Sequence, residues 1–393
     1  MPAEPTAADV DAHISYSKSV PSGNSHLHGY ASIEGAFLAG LPFWSHVVRA
    51  SFLGRMRGIT NTAHNPPLFT AAAAAVVYGI AVPEDLAQIL ILTPRPHGMR
   101  RTQLEAVPGR LKSVPDAELC RRHVPVRQTH QRSIDGFLVT SMDVTALMSA
   151  LYDEPHISFP VVSGLLRALA HMPQFPGPSD RLREKERKDR LLSWLRLMPG
   201  VPRRRMNRAR SVIELADGGC YNLFERETLH DLLREGVTGI ESQVRLQLGD
   251  HLYVPDLYLR RERVAIEPDG RGKAVSSAAL REEQRQRTSA WELAVATGMP
   301  VRRGTFMGET EILSPDAPRP LDIEMGGGDP DLREAQIHDS HEATLLRDAE
   351  IRMNGHGIVH IPWKHRKEMD RTMMMVHSEA RTPLILGPNP FEM

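Results

Sequence analysis

The sequence predicts a mixed α/β protein of more than one domain. Three observations carry that reading. At 393 residues, 41% of them apolar, the chain is too long for one small domain and rich enough to fill real cores. Short runs with a period of two, such as Val264 to Glu267, alternate with helical stretches such as Asp143 to Leu151. The 30 prolines and 29 glycines break the chain into many short elements rather than a few long helices.

Taken in order, residues 1–30 are polar and turn-rich and read as a loose leader. Ala31 to Gly58, ending in VVRASFLGRMRG, fits two or three short helices, read either as a DNA-reading helical unit or as plain helical packing. Phe69 to Gly79, FTAAAAAVVYG, is expected to be one helix ending at its glycine, and ILILTP a buried strand stopped by Pro94. HVPVRQTH and IDGFLVTS read as strands, and Asp143 to Leu151 and Val161 to Met172 as apolar helices. Together 31–175 is expected to form a small α/β domain, and 176–210 a basic linker. From Arg181 to Arg210 there are twelve Lys or Arg against three acids, which suits either a polyanion or a solvated helix. Domain 211–372 begins with a helix, Phe224 to Gly236, and continues with strands on both sides of Gly249 and Asp250. A charged helix over 278–296 and the strand VRRGTF follow, and 373–393 is a tail in which the Met373 to Met375 run reads as core.

Composition excludes several classes. Formal charge is zero, from 48 basic and 48 acidic residues, so the surface is not uniformly basic. Cys120 and Cys220 are the only cysteines and have no partners at metal-ligand spacing, which argues for a reducing compartment and against structural zinc. No export segment or run of about 18 apolar residues is present, so a cytoplasmic, non-membrane protein is expected. GGGD at 326–329 lacks the lysine and hydroxyl residue of a phosphate-binding loop.

The most informative stretch is Tyr253 to Gly270, YVPDLYLRRERVAIEPDG. Two apolar runs flank the charged turn Arg260 to Arg263, which predicts a hairpin with Asp256 on one arm and Glu267 on the other. Facing carboxylates repel, and a hard divalent cation is the usual reason to keep them together. Magnesium takes about six oxygens, several of them waters. Asp256, Glu267 and the carbonyl of Pro268 are the candidate ligands, with Glu225 holding an outer water or second ion and Lys273 steadying the phosphate. The bland alternative is a surface hairpin with two solvated acids.

Residues 211–306 resemble the endonuclease-like domain of the DUF559 and very-short-patch-repair group of the PD-(D/E)XK superfamily. The matching residues are Glu225 in GCYNLFERETLHDLLREG, Asp256 in YVPDLYL, and Glu267, Asp269 and Gly270 in VAIEPDG. The resemblance implies a restriction-endonuclease-like core, with the helix acid, strand aspartate and E-x-D-G step around Mg2+ (or Mn2+). It also implies that arginines of the following helix, here Arg285 or Arg287, face DNA phosphates. The chain departs from the family at Lys273, where a histidine is usual, at Asp269, where the wider superfamily has lysine, and at Pro268. Residues 31–172 are similar in layout to AbiEi-like proteins of abortive-infection toxin–antitoxin systems, through FTAAAAAVVYG, ILILTP and GFLVTSMDVTALMSAL. That likeness implies DNA, and a cognate toxin or other defence protein, as partners.

Further on, HEATLLRDAEIRMNGHGIVHIPW again reads helix and strand. Either 274–340 is an insertion and this segment closes the nuclease-like sheet, with His341 and Asp348 as late members of the site, or it is a partial second copy. Two functions are carried forward: a magnesium-dependent DNA endonuclease in a defence, toxin–antitoxin or repair setting, and a non-catalytic DNA-binding, antitoxin-like regulator. For DNA contact the candidates are Arg203, Arg204 and Arg205.

Overall fold

The computed structural model describes residues 14–17, 30–33, 44–93, 100–104, 117–248, 251–269, 301–302, 312–313, 341–362 and 367–392. The chain divides into two compact units, Pro2–His230 with Asn389–Met393, and Asp231–Pro388.

In the first unit, β1 (Ile14–Ser17) and β2 (Tyr30–Ile33) form an antiparallel pair ahead of helix α1 (Trp44–Thr62). Strand β3 (Leu68–Thr70) runs directly into α2 (Ala71–Val77), followed by β4 (Gln88–Thr93), β5 (Arg100–Leu104), β6 (Ala117–His123) and the hairpin β7 (Gln131–Ile134) and β8 (Phe137–Thr140). They make a six-stranded mixed sheet in the order β5-β6-β4-β3-β8-β7. FTAAAAAVVYG is therefore part strand and part helix, because Leu68 and Phe69 pair with Leu92 and Ile91 on one side and with β8 on the other. HVPVRQTH is not a strand. The strand ends at His123, and Pro125, with no N–H to give a ladder, precedes a 3-10 turn at Gln128–His130.

All seven residues of α2 are buried, which their small side chains permit. Around it pack α3 (Met142–Tyr152) and α4 (Pro155–Leu169), the latter opening on a proline whose missing N–H costs nothing at that position. Helices α5 (Pro178–Arg196) and α6 (Arg203–Leu215) account for most of the basic segment. Leu191, Leu195, Ala209, Val212 and Ile213 are buried, and Glu184 ties Arg181, Lys188 and the Gly218 N–H together. At the chain's end Phe391 stacks on His230, with ring centroids 4.9 Å apart, and meets Phe159 edge-on.

Helix α7 (Leu223–Arg234) leads into the second unit and stops at Gly236, whose φ of +82° suits glycine and whose Cβ would lie 2.1 Å from the Gly387 carbonyl oxygen. Strand β9 (Ile240–Ser242) precedes a separate hairpin of β10 (Leu246–Leu248) and β11 (His251–Tyr253). Next come β12 (Leu257–Leu259) and β13 (Val264–Asp269), a short pair of β14 (Val301–Arg302) and β15 (Ile312–Leu313), then α8 (His341–Met353), β16 (Gly357–Pro362) and α9 (Met369–Glu379). The central sheet has the order β16-β13-β12-β9. It is antiparallel from β9 to β13, and β13 and β16 are parallel. The closing strand thus lies beside Val264–Asp269, as the insertion reading requires, although most of 274–340, with the expected 278–296 helix, lies outside the described residues. The methionine run is not core: α9 buries Thr372 and Val376, while Met374 is 67% exposed. Among the described residues no helix is long and apolar enough to cross a membrane, and Cys120 and Cys220 are both buried free thiols.

Candidate functional site

One face of the second unit's sheet changes character along its length. Tyr258 and Ala265 are register partners, as are Ala265 and Ile358, so the three share a face. They pack with Leu246, Leu248, Tyr253 and Ile351 in an apolar cluster. Two residues further along β13 and β16, on the same face, stand Glu267 and His360, again register partners. Asp256 immediately precedes β12, one residue past the last β12–β13 pair of Leu257 and Ile266, and its N–H donates to Glu267 Oε1 at 3.3 Å.

Each polar group here is held by a neighbour. The Tyr253 hydroxyl donates to the same Glu267 oxygen at 2.6 Å. Burial, and then the Glu267 charge, push that phenol well above its usual range, so it stays a donor. Gln243 holds Asp256 twice, through Nε2 to Oδ1 at 3.2 Å and through its backbone N–H to the Asp256 carbonyl at 3.1 Å. From α8, Asp348 lies one turn before Ile351 on the same helix face and reaches His360 Nε2 at 2.9 Å. Arg347 lies 3.6 Å from Asp348 and stacks 5.3 Å above the Tyr253 ring. Glu267 and Asp348 are only 4% and 7% exposed, so these charges sit where solvent screening is weak.

Among the described residues no group of three His, Cys, Asp or Glu is arranged to hold a metal. The acids brought together here are a pair, Asp256 and Glu267. That pair is consistent with magnesium, which is commonly bound by one or two carboxylates with waters and substrate phosphates, and unlike a closed structural cage. Pro268 lies beyond the antiparallel ladder, which ends at Leu257 and Ile266, and pairs only toward β16. Its missing N–H therefore breaks no bond to β12.

The other expected residues are placed as follows. Glu225, in the first turn of α7, accepts the Tyr221 N–H at 2.6 Å and the Asn222 side-chain amide, while Asn222 Oδ1 accepts the Glu225 N–H at 3.0 Å. This reciprocal arrangement caps the helix, and Glu225 belongs to the first unit whereas Asp256 and Glu267 belong to the second. Asp269 closes β13 opposite Pro362. Lys273, Arg285, Arg287 and the side chain of His341 lie outside the described residues. Arg203 and Arg204 are exposed at the start of α6, and Arg205 lies 5.4 Å over the Tyr152 ring, which Arg122 also approaches at 4.4 Å. Sequence reading missed His360, Gln243 and Arg347. His360 had a signal, since it alternates with Val359 and Ile361 in a strand expected beside β13.

No protein family, curated protein or solved structure matches the chain.

Proposed function

We propose that the protein is a magnesium-dependent DNA endonuclease working at the polar end of the β13 face, in a defence, toxin–antitoxin or repair setting. The observation that carries this reading is the approach of Asp256 to Glu267, whose Oε1 accepts the Asp256 N–H at 3.3 Å. The chain order of helix, three antiparallel strands, helix and parallel strand, which suits a restriction-type core, supports it.

In this reading Asp256 and Glu267 hold the ion, with the Pro268 carbonyl as a third oxygen. A bound magnesium supplies an activated water and neutralises charge building on the phosphate. Tyr253 fixes one oxygen of Glu267, and Gln243 fixes Asp256. Asp348 sets the orientation of the His360 ring beside Glu267. The exposed Arg203 and Arg204 offer positive charge for the DNA backbone.

The second reading is a DNA-binding regulator that keeps the fold without the chemistry. It is favoured by the two hydrogen bonds already made to Glu267 Oε1 and by the capping role of Glu225. Incubation of supercoiled and linear DNA with magnesium or manganese separates the two. The endonuclease reading expects cleavage that falls at least about 100-fold, about 2.7 kcal/mol of barrier, in Asp256→Asn and Glu267→Gln while DNA binding persists. No cleavage with any divalent ion, in a protein that still binds DNA, selects the regulator.

A further inference from the structure

The sheet face that carries the carboxylates at one end finishes in arginines at the other. Glu267 and Arg263 are four residues apart, roughly 13 Å along a strand. Beyond Val264 lies the turn Arg260 to Arg263, beside His356 at the start of β16 and the segment that follows α9.

Two of the arginines there are held around one histidine. Arg263 adopts φ +57°, a conformation uncommon outside glycine, and its Nη2 donates to the Asn354 carbonyl at 2.9 Å and lies 3.2 Å from His356 Nε2. Arg381 is fixed by its own N–H, which donates to the Glu262 carbonyl at 3.0 Å, and its Nη2 approaches the His356 carbonyl at 3.5 Å. A guanidinium only donates, so the His356 ring accepts at Nε2 and carries its proton on Nδ1, which donates to the Tyr258 hydroxyl at 2.8 Å. Burial, and then these two arginines, lower the pKa of His356, which agrees with a neutral ring.

Charge accounting separates these arginines from their neighbours. Arg260 is neutralised by Glu241, with two contacts at 2.7 and 2.9 Å. Arg352 pairs with Glu379. Arg263 and Arg381 are exposed and have no carboxylate partner among the described residues. Two like charges held at one histidine, Arg263 at its ring and Arg381 at its carbonyl, repel each other, and phosphates docked on each relieve that repulsion. The planar guanidinium suits phosphate oxygens in particular.

We propose that Arg263 and Arg381 form a contact for the DNA phosphate backbone, at the opposite end of the sheet face from the carboxylates. The contact rests on the endonuclease reading for its partner. A separation of roughly 13 Å is about four base-pair rises of B-DNA, so the arginines grip the backbone a few nucleotides from the reacting phosphate.

The test is the salt dependence of binding to a short duplex, followed by fluorescence anisotropy in chelator so that no DNA is cut. Arg263→Gln/Arg381→Gln is expected to lower the slope of log affinity against log salt by about 1.8, at 0.9 per phosphate contact. Arg260→Gln leaves the slope unchanged, and Arg263→Lys/Arg381→Lys retains it. Should the double glutamine variant fail to fold by circular dichroism, Arg381→Gln alone is expected to lower it by about 0.9. A folded variant that binds with the wild-type slope overturns the arginine contact and leaves the endonuclease reading standing. A wild-type protein that binds no DNA overturns both.

Discussion

Asp153 and Glu267 are both almost fully buried carboxylates, one in each unit, and their surroundings differ in kind. Asp153 follows α3 and accepts the Ser149 hydroxyl at 2.7 Å and the Ala72 N–H at 3.0 Å, closing the open amino end of the buried alanine helix. Burial pushes its pKa up to about 7. Its partners account for it as a structural group, and the same holds for Glu225 at the start of α7. Glu267 also receives two hydrogen bonds, but one comes from the N–H of a second acidic residue, Asp256, and it stands beside the histidine–aspartate pair His360 and Asp348. Capping explains Asp153 and Glu225. It does not explain why Asp256 and Glu267 meet in the second unit.

The largest effect that separates the two kinds of acid is the pH dependence contributed by Asp153. Its folded pKa lies above the unfolded value of 3.8, so folding favours the protonated form. Its contribution is fully present below pH 3.8, falls as pH rises toward 7 and is level above that. The loss is on the order of 4 kcal/mol across the window. Urea unfolding at a series of pH values should show this fall in the wild type relative to Asp153→Asn, whose amide oxygen still accepts both hydrogen bonds but does not titrate. Parallel curves for the two proteins would remove Asp153 as the titrating cap.

A smaller effect is expected at Glu225. Glu225→Ala should lower the stability of the folded chain by about 1–2 kcal/mol, the usual cost of losing a helix cap, as measured by chemical unfolding. Glu225→Gln, which can still accept the Tyr221 N–H, should cost less and leave the cleavage rate per folded molecule unchanged. A rate that falls further than the folded fraction would bring Glu225 into the chemistry and end the contrast with Glu267.

The hairpin of β12 and β13 was legible because its charged turn sits between two apolar arms. The closing helix and strand were legible in RDAEIR and in the apolar run IVHIP that follows it. Local pattern misled where long-range pairing decided the outcome. Leu68 and Phe69 would suit a helix with the alanines, but they form a strand because β4 and β8 flank them. The methionine run looked like core by composition, yet α9 turns Thr372 and Val376 inward and leaves Met374 exposed. Gln243 and Arg347 carry no motif, and only the fold brings them to Asp256 and Tyr253. A carboxylate in a helix's first turn reads the same in sequence whether it caps or catalyses, and in Glu225 the fold adds the capping contacts.

Calorimetric titration of manganese into the wild type, Glu267→Gln and Asp153→Asn, each with and without duplex DNA, tests the central claim most directly. A weak single-site heat is expected in the wild type and in Asp153→Asn, strengthened by DNA because its phosphate completes the coordination, and absent from Glu267→Gln. No heat in the wild type with DNA present, or the same heat in Glu267→Gln, would contradict a metal held by Asp256 and Glu267.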